Sequence, residues 1–124
     1  MKYVGLWLDH KKAVVIKSNS NQETKEVVHS KLSPSNKAKH LTRVAPKKHE
    51  EKREHIITQF YGEVFKTLTG ADRVFLMGPG IAKKEFGLFL KQKDFQGKVV
   101  EVTNADKMTD RQVAAQTRNF FGLG

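Results

Sequence analysis

The chain has 124 residues, with 23 Lys and Arg against 13 Asp and Glu, a formal net charge of +10, and no cysteine. That length fits one domain and leaves no room for a substantial second one. The missing thiols exclude disulfide scaffolds, thiolate zinc sites, iron–sulfur clusters and cysteine nucleophiles, and so large a cationic surplus predicts attraction to polyanions, nucleic acid foremost.

Hydrophobic residues make up 38% of the chain and include eight Phe, enough for a single core. No apolar run approaches the ~18 residues of a membrane-spanning helix, and residues 1–9 are broken by charge where a signal peptide would be apolar. The expected compartment is therefore the cytoplasm, with no membrane partner.

Tyr3-Val4-Gly5-Leu6-Trp7-Leu8-Asp9 and Ala13-Val14-Val15-Ile16 are short apolar runs joined by His10-Lys11-Lys12, which reads as an antiparallel hairpin. After the turn cluster Ser18-Asn19-Ser20-Asn21, residues 25–32 carry a weaker apolar pattern that suits an outer strand with one wet face. Residues 33–48 lose periodicity and gain Pro34, Pro46 and cations, so a long exposed basic loop is expected over about 33–49.

Over residues 50–68 the positions Ile56, Ile57, Phe60, Val64, Phe65 and Leu68 form one stripe at helical spacing, stopped by Thr69-Gly70. Arg73-Val74-Phe75-Leu76-Met77 predicts a buried strand closed by Gly78-Pro79-Gly80, and Ala82, Phe86, Phe89 and Leu90 mark a second amphipathic helix. Lys98-Val99-Val100-Glu101-Val102 predicts a fifth strand. Thr109 with Gln112 forms a capping box for a last helix that should bury Val113, Ala114, Thr117 and Phe120.

The order is β-β-β-α-β-α-β-α. A hairpin-linked start makes the first three strands antiparallel, whereas a helical crossover makes the last two parallel. The predicted fold is α/β: a ribonuclease-H-like mixed five-stranded sheet with helices on its faces, in one domain spanning residues 1–124.

Charge is concentrated between residues 31 and 53. Lys31, Lys37, Lys39, Arg43, Lys47, Lys48, Lys52 and Arg53 face only Glu50 and Glu51 there, and this surplus could engage several phosphates with steep salt dependence. His40 and His49 could add charge or stack on bases. The expected nucleic-acid-binding residues are Lys37, Lys39, His40, Arg43, Lys47, Lys48, His49, Lys52 and Arg53. A second group, Lys83, Lys84, Lys91, Lys93 and Lys98, reads as a solvated helix face.

Catalytic signals are weak. Gly78-Pro79-Gly80 lacks both the Lys-Ser/Thr end of a P-loop and the spacing of a dinucleotide fingerprint, so it reads as a structural turn. Asp9 ends the first strand where a two-metal nuclease would keep a carboxylate, but Asp72, Asp106 and Asp110 follow no ligand spacing, and Asp9 more simply opens a turn. The histidines form neither HxxxH nor HExxH, and there is no GxSxG elbow. No cofactor, metal or catalytic residue is expected.

The element order, the hairpin over residues 6–16, the segment Lys47-Lys48-His49-Glu50-Glu51-Lys52-Arg53-Glu54-His55 and the strand Asp72-Arg73-Val74-Phe75-Leu76-Met77-Gly78-Pro79 together resemble the middle domain of archaeal and eukaryotic class-one peptide-chain release factors and of Pelota. The similarity covers roughly residues 3–121 and implies the same fold. In release factors the loop before the long helix carries a Gly-Gly-Gln motif that promotes ester hydrolysis in the ribosome. No such tripeptide occurs here, so the resemblance is closer to Pelota and to bacterial stand-alone relatives that keep the scaffold and basic loop.

The expected function is a non-enzymatic RNA- or ribosome-binding protein of the translation machinery, serving ribosome rescue, stalling or hibernation. Two other classes stay open: a metal-dependent nuclease or phosphoesterase centred on Asp9, and a protein-interaction module that forms homo-oligomers through the edge strand at Val27 and Val28.

Overall fold

The computed structural model of the chain describes residues 1–19, 22–32 and 46–123, with 46–51 in backbone only. Its elements are β1 (Lys2–Leu8), β2 (Lys12–Asn19), β3 (Gln22–His29), α1 (Pro46–Thr67), β4 (Arg73–Gly78), α2 (Ala82–Gln92), β5 (Lys98–Asn104) and α3 (Asp110–Phe121). They form one sheet in the order β3-β2-β1-β4-β5. β1 pairs antiparallel with β2 and β2 with β3, while β4 runs parallel to both β1 and β5. The mixed five-stranded sheet expected from the element order is the one observed.

Because side chains alternate across a strand, the continuous apolar runs of β1, β2 and β4 must be covered on both faces. Val4, Leu6, Leu8, Ala13, Val15, Val74 and Leu76 meet Phe60, Tyr61, Val64 and Leu68 of α1 and Ala82, Phe86 and Leu90 of α2. On the opposite face Trp7, Val14, Ile16, Phe75 and Met77 meet Val113 and Ala114 of α3. Each large side chain buried this way contributes about 1.5 to 3 kcal/mol.

Two glycines set how closely these layers approach. A Cβ at Gly5 in β1 would overlap the side chain of Thr117, so α3 lies directly on the central strand there. A Cβ at Gly78 would overlap the carbonyl oxygen of Leu8, which allows the ends of β1 and β4 to pass in close contact.

The structure departs from the sequence reading in several places. β3 runs over Gln22–His29, not 25–32. α1 begins at Pro46, not near residue 50, because proline is well suited to a first helical position where its missing N–H is not needed. Lys47, Lys48 and His49 therefore belong to the helix and not to the basic loop. β2 continues through Ser18 and Asn19, which the turn cluster had suggested were outside it. Phe120 is 42% exposed, not buried, although its ring stacks on Phe75 with centroids 4.1 Å apart.

The capping box of α3 is present: Thr109 Oγ1 accepts from Gln112 N at 3.1 Å, and Gln112 Oε1 accepts from Thr109 N at 2.8 Å. β5 carries a bulge against β4, with Val74 opposite Val99 but Phe75 opposite Glu101. The extra residue puts Val99 and Val102, three apart, on the same face of the sheet.

The tight α3–β1 contact makes a direct prediction. Gly5→Ala should destabilise the protein by about 2 kcal/mol or more through overpacking, and Thr117→Ala in the same chain should recover part of that loss. Thermal denaturation of the two single variants and the double variant measures the coupling.

Candidate nucleic-acid interface

The hairpin turn between β1 and β2 is held by its own aspartate. Asp9 Oδ1 accepts from the backbone N–H of Lys11 at 2.8 Å and of Lys12 at 2.9 Å, which is the turn-forming role expected of an Asp in this position. The turn is then tied to the exit of β3. Ser30 N donates to the Lys11 carbonyl at 2.8 Å, and Ser30 Oγ donates to the His10 carbonyl at 2.7 Å. Lys11 and Lys31, both exposed, are thereby brought to one end of the sheet.

α1 reaches the same end. Lys52, Arg53, Glu54 and His55 are all exposed, and the first buried side chain among its described residues is Ile56. Four consecutive exposed residues cover more than a full turn of 3.6, so this stretch presents no side to the core and projects as a solvated cationic rod. The helix carries no acidic residue in its first turn.

A three-element junction fixes the rod's direction. Glu85 Oε1, at the start of α2, accepts from Tyr61 Oη of α1 at 2.7 Å and lies 2.8 Å from His10 Nε2 of the β1–β2 turn. Burial alone would raise the Glu85 carboxyl. The hydrogen bonds from Tyr61 and His10 and the positive charges of His10 and Arg53 outweigh it, holding Glu85 below the usual carboxylate range. The same junction drives Tyr61 far above an ordinary tyrosine, through burial first and then the hydrogen bond and negative charge of Glu85.

Of the residues expected to bind nucleic acid, Lys37, Lys39, His40 and Arg43 lie outside the described residues. Lys47, Lys48 and His49 stand in the first turn of α1, whereas Lys52 and Arg53 are exposed on its projecting part. Among the described residues Lys11, Lys31 and Lys52 have no ion-pair partner. Two cations on the opposite side are engaged: Lys25 with Asp110 at 3.1 Å and Arg118 with Glu23 at 2.9 Å.

The second lysine group is not a uniform solvated face. Lys83 is 2% exposed, and its Nζ donates back to the Gly80 carbonyl, the long stem lying along the helix start. β3 is an edge strand as expected, yet Val27 is exposed whereas Val28 packs into the α1 side, so the two valines do not form one apolar strip.

Sequence reasoning missed Tyr61, Glu85, His10 and Lys11. Tyr61 was within reach, lying four residues after Ile57 on the helical stripe. His10 and Glu85 are 75 positions apart, and no local pattern joins them. Among the described residues, no three His, Asp or Glu side chains are grouped as a metal site would require, and no helix is long and apolar enough to cross a membrane.

No family model matches the chain. No curated protein matches it in sequence. Solved structures do match in fold. The Pelota protein of Thermoplasma acidophilum aligns with a TM-score of 0.62 at 13% identity, over 95% of this chain and 32% of that one. Pelota of Archaeoglobus fulgidus gives 0.51 at 16%, over 98% and 36%. The archaeal translation termination factor aRF1 gives 0.52 at 12%, over 98% and 39%.

The chain thus has the fold of one unit of Pelota and of an archaeal termination factor, as its sequence suggested. It spans about a third of the length of each.

The junction is testable by pH. Glu85→Gln should lower stability by about 1 kcal/mol at neutral pH, a modest amount because the carboxylate is 41% exposed and solvent screens it. A lowered carboxyl stabilises the fold above its unfolded value and loses that contribution as pH falls through its folded value, so the gap between wild type and variant should close in acid. Separately, Tyr61 should contribute no tyrosinate absorbance to the folded protein at about pH 11, checked by the difference spectrum against Tyr61→Phe.

Proposed function

We propose that this protein is a non-enzymatic RNA- or ribosome-binding factor of the translation machinery that grips phosphates with the cationic region running from Lys31 into α1. The observation that carries this reading is the projecting stretch of α1. Lys52 and Arg53 stand on a stretch of α1, residues 52–55, that has no side against the core, at the end of the sheet where Lys11 and Lys31 also gather. A helical stretch exposed all round buries no apolar surface against its own domain, and a polyphosphate is the partner whose charge fits it.

The shared fold supports the translational setting, because one neighbour is named as a translation termination factor. Without a Gly-Gly-Gln motif, the chain lacks the hydrolytic tripeptide its resemblance to release factors would require. Ribosome rescue, stalling or hibernation in the cytoplasm is the role we assign, with binding and not bond cleavage as its chemistry. The nuclease alternative is the weaker reading: Asp9 Oδ1 is occupied by two backbone amides of its own turn.

Binding to phosphates releases counterions, so association should weaken steeply with salt. In sucrose-gradient sedimentation the protein should travel with ribosomes at low salt and be released at moderate salt. Replacing Lys37, Lys39, Arg43, Lys47, Lys48, Lys52 and Arg53 by Gln should reduce cosedimentation by roughly tenfold or more. A profile indifferent to both salt and substitution refutes the reading.

A further inference from the structure

The α1/α2 face of the sheet is not fully covered. α1 packs against β3, and α2 against β4, β1 and β5. Five strands about 4.8 Å apart span about 19 Å between the outer axes, whereas two helices packed about 10 Å apart cover the middle and leave the margin at β5. A cleft of about 660 Å³ lies there, between α2 and β5.

Its walls are apolar and its rim is cationic. Leu90, Phe95, Val99 and Val102 line it, and Leu88 stands at its edge with 60% exposure. Val102 is 40% exposed. The bulge in β5 is what brings Val99 and Val102 to this face together. Lys84, Leu88 and Lys91 follow one another at helical spacing along α2, and Lys98 opens β5, so three amino groups flank the apolar floor. Among the described residues none of the three has an ion-pair partner, and neighbouring Lys93 lies over the Phe89 ring at 5.4 Å.

We propose that this cleft is a docking groove for an acidic amphipathic helix of a partner protein. Its apolar side covers Leu88, Val99 and Val102, and its carboxylates meet Lys84, Lys91 and Lys98. Charge complementarity selects the occupant. The segment of this chain at residues 33–45 contains Lys37, Lys39 and Arg43 and no carboxylate, the wrong sign for this rim. A nucleic-acid backbone would meet the lysines but gain nothing from an apolar floor. A helix fits better than an added strand, because a bulged edge strand resists strand pairing.

The test is amide NMR of isotope-labelled protein titrated with a synthetic peptide of about 16 residues, helical, with leucines on one side and glutamates on the other. The controls are the same peptide with lysines for glutamates, and oligouridylate. Shifts at Leu88, Lys91, Val99 and Val102 with the acidic peptide alone are expected. Leu88→Glu, and separately Lys84→Gln with Lys91→Gln and Lys98→Gln, should each weaken that binding roughly tenfold or more while the circular dichroism spectrum is unchanged. Silence of these amides toward the acidic peptide, equal response to the basic one, or the same shifts with oligouridylate overturns the proposal.

Discussion

The fold depends on β1 being covered on both faces while α3 lies directly on its backbone. Val4, Leu6 and Leu8 turn toward α1 and α2, Trp7 turns toward α3, and Gly5 leaves the space that Thr117 fills. Trp7 also reaches the end of the sheet through its indole N–H, which donates to the Asp106 carbonyl at 3.1 Å. With its middle strand fixed in this way, the sheet becomes a rigid platform. Whatever projects from its end is then aimed by the platform and not by its own packing.

The aim is set at one carboxylate. Glu85 joins the β1–β2 turn, α1 and α2 through a single oxygen atom, and Arg53 adds its charge to that of His10 around it. Such a junction is worth more as a geometric device than as a source of stability, since a partly exposed carboxylate is screened by water. It gives α1 a defined direction where it leaves the core, while the side chains from Lys52 to His55 stay exposed. The arrangement leaves cations available at one end, while two ion pairs, Lys25 with Asp110 and Arg118 with Glu23, join β3 to α3.

Much of this was legible in the residues. Continuous apolar runs marked β1, β2 and β4, helical spacing marked all three helices, and Thr109 with Gln112 marked the cap of α3. The start of α1 was misread because Pro46 is equally at home in a loop and at a first helical position, and only the backbone distinguishes them. Lys83 was misread because a lysine's stem can lie along a helix while its amino group finds a carbonyl, which composition does not register.

The sequence by itself determined the order of elements, the mixed pairing of the strands and the concentration of charge between residues 31 and 53, because periodicity, turn chemistry and charge are local properties of a chain. Tertiary structure alone decided that His10, Tyr61 and Glu85 share a junction, that Phe120 stays half in solvent, and that a bulge turns Val99 and Val102 to the same side of β5. Those outcomes depend on distances between residues far apart in the chain, and no local pattern encodes a distance that packing has yet to set.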